Sequence, residues 1–236
     1  MFSSAKTVQR FHCGGEKVGT FDGSNDYIDT GLPSTTLRPN DGSKDYTMSI
    51  MFDMDTISST GASGRLIVPG NGAGTRGGLE VNSEGGTARA IFRVGGSAYR
   101  SDGTGTGATA VTITTGTKFH VCATVSMTGA ETAEVNLYVD GVLTRVAEGI
   151  DIDTAATTTV KIATQADAAT NFFDGKIYDV RLYCGSALTA TEVSELSNEL
   201  LYLKYRETGG STHPERNLIL HYDFEDGFGG TDKHIT

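Results

Sequence analysis

The chain has 236 residues, a formal net charge of -10 at pH 7 and a pI of about 4.9. The negative charge disfavours contact with nucleic acid phosphates, and no apolar run approaches the roughly 20 residues that a membrane-spanning helix needs. With 31 glycines, 4 prolines and 37% hydrophobic residues, the composition favours one folded domain of short strands joined by turns.

Alternating hydrophobic and polar residues predict at least nine β-strands along the chain. The segments KFHVCATV (118–125) and AEVNLYVDG (133–141) alternate in this way, and the second ends in an Asp140-Gly141 turn. DYTMSIMFDM (45–54) places five side chains on one face, namely Tyr46, Met48, Ile50, Phe52 and Met54. Such a series of strands predicts an all-β fold of two antiparallel sheets, a sandwich or jelly roll.

One amphipathic helix is predicted at residues 189–206. Thr189 and Glu192 have the spacing of a capping box, and Leu188 and Val193 have the spacing of a hydrophobic staple. The helix should therefore start sharply and pack its apolar face on the body of the domain.

A last strand is predicted after the helix and a flexible joint at 207–217. In LILHYDFE (218–225) the period of two places Leu218, Leu220, Tyr222 and Phe224 on one face. A single strand does not stay folded alone in water, so this segment must pair with another part of the protein.

Five segments together resemble the laminin-G-like, concanavalin A-like jelly-roll family in order and spacing. They are TFDGSNDYIDTG (20–31), YTMSIMF (46–52), FHVCATV (119–125), VNLYVDG (135–141) and FFDGKIYDVRLYCGSALTATEVSEL (172–196). The resemblance covers roughly residues 18 to 200. It implies two packed antiparallel sheets and a broad range of binding roles.

The chain departs from the family in the position of one strand. Members usually begin with a strand similar to LILHYDFED, which precedes the FDG element and pairs close to the strand matching GKIYDVRLY (175–183). Here that strand comes last, so we predict a circular permutation. The alternatives are a strand exchanged into a neighbouring subunit and a truncated second domain.

The predicted organisation has four parts. They are an N-terminal arm (1–17), a jelly roll that includes the helix (18–206), the joint (207–217), and a C-terminal strand and tail (218–236) that complete this or a neighbouring sandwich.

Catalytic patterns are weak in this sequence. Glycosidases of this shape carry a Glu-x-Asp-x-Glu strand, which the chain lacks, and the pairs Asp151/Asp153 and Asp53/Asp55 are better interpreted as solvated charge. The histidines do not lie near a Gly-x-Ser-x-Gly turn. We therefore expect a protein that is not an enzyme.

Calcium is the metal that the resemblance implies, because laminin-G-like domains often hold Ca²⁺ at a sheet rim through aspartates and backbone carbonyls. The candidate ligands all lie in turns: Asp22, Asp26, Asp29, Asp140 and Asp174. The alternative is that these aspartates only stabilise their turns.

A sugar-binding surface would need an aromatic ring beside polar groups. The chain has no tryptophan, so Tyr27 and Tyr99, in or beside turns, are the candidate ligand-binding residues.

We therefore expect a non-catalytic recognition or assembly module. Because the sequence starts without a secretory signal, the expected setting is the surface of a virus or phage particle, as an adhesive or decoration protein. Its partner would be a glycan or a neighbouring structural protein, and the C-terminal strand would allow a homo-oligomer. The alternative is a secreted or cell-surface carbohydrate-binding lectin module. Neither interpretation includes nucleic acid or membrane insertion.

Overall fold

The computed structural model describes residues 18–37, 44–57, 64–70, 76–84, 86–94, 97–129, 131–152, 158–165, 170–198, 217–222 and 224. Strands and two short helices follow one another in this order: β1 (Gly19–Asp22), β2 (Ile28–Pro33), α1 (Ser34–Leu37), β3 (Tyr46–Met54), β4 (Gly64–Pro69), β5 (Arg76–Glu84), β6 (Thr87–Val94), β7 (Ser97–Arg100), β8 (Lys118–Gly129), β9 (Thr132–Val139), β10 (Val142–Asp151), β11 (Thr159–Ile162), β12 (Asp174–Cys184), α2 (Ala190–Ser197) and β13 (Leu218–Tyr222).

The strands form two antiparallel sheets, which confirms the predicted jelly-roll sandwich. Sheet A has the order β1-β12-β3-β8-β9-β10, and β13 also pairs with β12. Sheet B has the order β2-β11-β4-β5-β6-β7. In the described part of the chain, neither helix has the length and apolar character needed to span a bilayer.

The core lies between the sheets and is built from the alternate positions that the sequence predicts. All five predicted core side chains of β3 are at most 3% exposed. Phe173 joins β1 to β3, because its ring makes edge contacts with Phe21 and Phe52 at centroid distances of 6.1 and 5.8 Å. Aromatic pairs favour this geometry, so the rings fix the spacing of the strands as well as burying apolar area.

A second, smaller hydrophobic cluster covers the outer face of sheet A, where α2 packs. It contains Cys122, Tyr138, Tyr183, Leu188, Val193 and Leu218. The predicted capping box is present, with Glu192 N–H donating to Thr189 Oγ1 and Thr189 N–H donating to Glu192 Oε2. The turn at Gly141 (φ +74) meets α2 so closely that a Cβ there would lie 3.0 Å from Ser194 Cα.

The helix ends earlier than the sequence predicts. It stops at Ser197, and Asn198 has an extended backbone whose N–H bonds to Glu195. The side chains of Ser197 and Asn198 both donate to the Ser194 carbonyl, at 2.8 Å each, which competes with continuation of the helix. Residues 199–206 of the predicted helix, the arm (1–17) and the joint up to residue 216 lie outside the described residues.

β13 and β1 lie one after the other along the same edge of β12. β13 pairs with β12 from Tyr183 to Val180, and β1 pairs with it from Ile177 to Asp174. Where the two meet, the Phe224 ring lies so close to Gly19 that a Cβ on this glycine would be 2.6 Å from it. The last strand and the first strand therefore act as one broken strand, the arrangement that a circular permutation produces. Exchange between subunits stays a prediction.

The prediction that the apolar residues of β13 share one face is wrong for Leu218. The register shifts between Leu218, which pairs with Tyr183, and Leu220, which pairs with Leu182. This bulge turns Leu218 to the outer cluster of sheet A, while Leu220 enters the main core. Both leucines are buried, so β13 is anchored on both faces of the sheet.

Candidate functional site

Tyr27 lies beside a charged cluster at the β2 edge of sheet B. Asp29 and Lys161 are paired directly across β2 and β11, so their side chains meet on the same face. Lys161 Nζ contacts Asp29 Oδ2 and lies 5.7 Å from the centre of the Tyr27 ring. Thr159 Oγ1 donates a hydrogen bond of 2.6 Å to Asp29 Oδ1. Partial burial raises the pKa of Asp29, but the hydrogen bonds from Lys161 and Thr159 outweigh it and hold this pKa below the ordinary value.

Tyr99 lies beside a similar cluster at the β7 edge of the same sheet. Arg145 Cζ is 5.7 Å from the centre of the Tyr99 ring, and Arg145 Nη1 lies 3.1 Å from Asp102 Oδ1. Burial raises the pKa of Asp102, whereas bonds from Thr104 and Arg145 lower it by more. Tyr99 is paired with Phe92 and packs against the main core, so it offers less ring surface to a ligand than its position in the sequence suggests.

The structure does not bring the two candidate tyrosines together. Tyr27 precedes the strand at one edge of sheet B, and Tyr99 lies in the strand at the opposite edge. They cannot contact one sugar ring, so each remains a separate candidate.

Three of the five candidate aspartates meet at one corner of sheet A. Asp22 and Asp174 are paired across β1 and β12, and Asp26 Oδ2 accepts a hydrogen bond of 3.2 Å from the Asp22 N–H. Asp22 Oδ1 accepts from the Ser24 N–H at 2.8 Å, and Thr56 donates to Asp174 Oδ2 at 2.6 Å. Each of these bonds uses one oxygen of its carboxylate.

The other two candidates lie elsewhere. Asp29 is held by Lys161, and Asp140 Oδ1 accepts from the His120 N–H at 2.8 Å. Among the residues that the structure describes, no group of three or more His, Cys, Asp or Glu side chains is arranged to hold a metal ion. The five aspartates therefore do not form one calcium site, and Ca²⁺ at the corner of Asp22, Asp26 and Asp174 stays a prediction.

The electrostatics of this corner suit a cation better than its geometry does. Burial raises the pKa of Asp26, and the charge of Asp22 raises it further. Hydrogen bonds from the Ser24 and Asn25 amides lower the pKa of Asp22, in the manner of an aspartate that stabilises its own turn. A divalent cation would relieve the repulsion between the two carboxylates, because both supply hard oxygen ligands.

The same pair is a weak candidate for hydrolysis. A glycosidase needs one carboxyl with a raised pKa and one with an ordinary or lowered pKa, as here, but it also needs them on either side of the sugar bond. Asp22 and Asp26 both bond to the backbone of one five-residue turn. They therefore lie on the same side of any ligand.

Sequence reasoning missed two groups of buried charges on the outer faces of the sheets. On sheet A, Asp179 accepts from Arg181 Nε at 2.9 Å and lies 2.8 Å from His221 Nε2 on β13. Burial raises the pKa of Asp179, but Arg181 and His221 hold it well below its usual range. On sheet B, Glu80 is fully buried against Arg65 and Arg93. The signal in the sequence is the charge at alternate positions of runs such as GKIYDVRLY, opposite the apolar positions.

His120 is a buried neutral histidine beneath the outer face of sheet A. Its Nε2 lies 2.8 Å from Ser49 Oγ, and the two residues are 4% and 1% exposed. Burial lowers the pKa of His120 to about 4, because the charged imidazole would lose its hydration. The negative charge of Asp179 opposes this shift, and the positive charge of Arg181 adds to it. A substrate cannot reach the Ser49 hydroxyl, so the pair is structural.

This pKa predicts a loss of stability in mild acid. As pH falls from 6.5 to about 4, the unfolded chain gains a proton at His120 that the folded chain does not accept, so the free energy of unfolding should fall by about 3 kcal/mol. His120→Gln retains a side chain that can bond to Ser49 but does not titrate. Urea unfolding at pH 7, 5.5 and 4.5 should give a steeper loss for the wild type than for this variant, and equal slopes would contradict the prediction.

Solved structures similar to this chain include a native heptameric SAP-like pentraxin from Limulus polyphemus (14% identity, TM-score 0.46, covering 66% of this chain and 70% of that one). Domain 4 of an extracellular arabinanase from Geobacillus stearothermophilus, solved with arabinotriose, has 18% identity and a TM-score of 0.46 over 66% of this chain and 67% of that one. A sialidase from Trypanosoma rangeli, solved with the inhibitor DANA, has 18% identity and a TM-score of 0.43 over 65% and 22%.

No curated protein sequence matched the chain in a direct search. A family model described as "Concanavalin A-like lectin/glucanases superfamily" matches residues 22–194, which run from the last residue of β1 through the strands β2 to β12 into the first part of α2. The match covers most of the 236 residues and agrees with the resemblance seen in the sequence motifs. The chain therefore belongs to the concanavalin A-like lectin/glucanase superfamily.

Proposed function

We propose that this protein is a non-catalytic recognition module that binds a glycan at the β2 edge of sheet B. The observation that carries the proposal is the Tyr27 ring beside Asp29, Thr159 and Lys161. A tyrosine ring can pack against the apolar face of a sugar, while a carboxylate, a hydroxyl and an ammonium group supply acceptors and donors for sugar hydroxyls. The carbohydrate-binding character of the superfamily supports the same function.

The proposal assigns no reaction to the chain. Asp29, the carboxylate nearest Tyr27, has a lowered pKa and is therefore a poor general acid at neutral pH. The buried carboxylates of Glu80 and Asp179 are each held by arginine, which favours structural ion pairs over acid–base chemistry.

The location that we propose is the surface of a virus or phage particle, where the module would bind a glycan or a neighbouring structural protein. Many copies on one particle would compensate for weak single contacts to a sugar, and exchange of the C-terminal strand would be one route to an oligomer. The alternative is a secreted or cell-surface lectin module. Mass spectrometry of purified particles and of particle-free medium would separate the two locations.

Tyr27→Ala is expected to weaken glycan retention about tenfold, because an aromatic contact is worth about 0.5–1.5 kcal/mol beyond the area it buries. The measurement is a glycan array with the full chain, followed by calorimetry on the best ligand. Tyr27→Phe keeps the ring and is the matched control, with binding close to that of the wild type. Unchanged binding by a folded Tyr27→Ala variant would remove Tyr27 from the site, and no binding of the wild type to any glycan would favour a protein partner.

Any calcium site of this module is expected at the corner of Asp22, Asp26 and Asp174. Millimolar CaCl₂ should raise the melting temperature relative to EDTA by a few degrees, since a ligand that binds only the folded state stabilises it. Asp26→Asn should abolish the shift, whereas Asp140→Asn, remote from the corner, should leave it intact. Identical melting temperatures in CaCl₂ and EDTA would exclude this corner as a calcium site.

A further inference from the structure

We propose that the outer face of β4, β5 and β6 is a second ligand site, which binds the carboxylate of an acidic saccharide. This inference rests on the proposed function, glycan recognition, and adds a chemical class of ligand and a place on the fold. The face lies on sheet B, away from the main core and between the two edges that carry Tyr27 and Tyr99.

The face is organised around one buried carboxylate. Arg65 on β4 lies directly opposite Glu80 on β5 and contacts its side chain. Arg93 on β6 donates from Nε to Glu80 Oε1 at 2.7 Å, and its Nη2 lies at the same distance from that oxygen. Glu80 is 0% exposed, whereas the side chains of Arg65 and Arg93 are 12% and 20% exposed. The guanidinium groups therefore cover the carboxylate and keep a small exposed fraction at the surface.

Arginines outnumber carboxylates among the described side chains of this face. Arg89 is the third arginine, directly opposite Asn82, and it donates to the carbonyls of Ser101 and Val111 at 2.6 and 3.2 Å. These carbonyls carry no net charge. Among the side chains that the structure describes on this face, three arginines therefore accompany one glutamate, in a chain whose net charge is -10.

The pKa of Arg65 is lowered at this face. Burial lowers it to about 10, and the positive charge of Arg93 acts in the same direction. A second anion at this face would offset that repulsion, because charge-assisted bonds from arginine to a carboxylate are short and strong.

Three buried polar atoms here have no hydrogen-bond partner among the described residues. They are Arg65 Nε, Asn82 Oδ1, on a residue that is 8% exposed, and Glu80 Oε2, which has Arg65 as its ion-pair partner. Buried polar groups are nearly always paired, so the unpaired acceptor of Asn82 and the unpaired donor of Arg65 on one sheet face favour a ligand that supplies both complements. A sugar acid does so, since its hydroxyls donate to Asn82 and its carboxylate accepts from the arginines.

The first experiment is calorimetric titration of the full chain with trigalacturonic acid and with its fully methyl-esterified form. The acid should bind, binding should weaken as salt is raised, and the ester should bind at least about tenfold more weakly because it lacks the charge. A sulfated trisaccharide of equal charge separates carboxylate recognition from general attraction to anions. Equal affinity for the acid and the ester, or tighter binding of the sulfated sugar, would overturn the proposal.

Substitutions test whether the acid binds at the outer face of β4, β5 and β6. Arg89→Gln removes one positive charge but leaves Glu80 with its two partners, Arg65 and Arg93. Arg93→Lys keeps the positive charge but removes the planar guanidinium group that can form two parallel hydrogen bonds. Each should weaken binding of the acid about tenfold. Lys176→Gln removes one positive charge from β12 of sheet A and should leave the affinity unchanged. Thermal melting shows whether each variant is folded, and folded Arg89 and Arg93 variants with wild-type affinity would contradict the site.

Tyr27→Ala distinguishes this inference from the proposed function. If neutral glycans bind and their binding depends on Tyr27, while trigalacturonic acid does not bind, only the proposal of the second site is disproved. If no saccharide of either kind binds, the proposed function fails together with it.

Discussion

A chain that ends before Asn217 is expected to lose its native fold or to aggregate, because this truncation removes β13. Leu218 and Leu220, 6% and 3% exposed, would leave holes in the outer cluster and in the main core. Two buried leucines contribute several kcal/mol, a large part of the stability of an ordinary domain. The truncation would also expose the backbone of β12 from Val180 to Tyr183 as a free edge, which promotes association of chains.

The matched control is a chain that ends after Glu225. It keeps β13 and Phe224 and should melt close to the full-length protein, whereas the shorter chain should lack a cooperative melting transition. A synthetic peptide of residues 217–225 should restore part of the fold when it is added to the shorter chain. An unchanged melting temperature and a monomeric state of the shorter chain would show that β13 does not complete any sandwich.

Light scattering of the full chain distinguishes pairing of β13 within one chain from exchange of β13 between subunits. A monomer would agree with pairing inside one chain, as the structure places it beside β12. A dimer that dissociates only on unfolding would favour exchange between subunits, with residues 207–217 as the hinge.

The sequence predicts the main core well because side-chain direction follows a period of two in β3, β8 and β9. The alternate positions of β3 and β8 are largely buried too, on the outer face of sheet A. Phe119, Val121 and Leu137 are all buried as the alternation predicts. The period fails where a strand contains an extra residue. The bulge at Ile219 turns the side chain of Leu218 to the opposite face of the sheet. The sequence LILHY does not predict this bulge, because the bulge depends on the partner strand β12.

The candidate site was predictable only in part, because strand order decides which residues meet. Asp22 and Asp174 are far apart in sequence and become neighbours through the pairing of β1 with β12. Tyr27 and Tyr99 are both near turns, yet four strands separate β2 from β7 in sheet B. Alternation and turn motifs say which residues form strands, but they do not specify this order.

Buried charges were missed for a related reason. In a single sequence, a charge at alternate positions of a strand indicates a solvated face, which is the usual outcome. Glu80 is buried because Arg65 and Arg93 reach it from the strands on either side, and Asp179 is buried because His221 reaches it from β13. The compensation comes from distant segments, so it becomes visible only once the sheets are assembled.

Glu80→Gln is expected to destabilise the fold strongly while preserving the size of the side chain. The substitution leaves the guanidinium groups of Arg65 and Arg93 close together without the carboxylate that neutralises them, and breaking a buried ion pair in this way costs about 3–5 kcal/mol. In a protein of this length the melting temperature should fall by roughly 10 °C.

Two further variants test that explanation. Glu148→Gln removes a carboxylate from an exposed position of β10 and should leave the melting temperature within about 1 °C of the wild type. The triple variant Arg65→Met, Glu80→Leu, Arg93→Met removes all three charges and should recover most of the loss, since apolar groups of similar volume can replace a buried ion network. If Glu80→Gln has the same melting temperature as the wild type, the ion network of Arg65, Glu80 and Arg93 contributes nothing to stability. If the triple variant is no more stable than Glu80→Gln, the cost arises from packing around Glu80 rather than from unneutralised arginine charge.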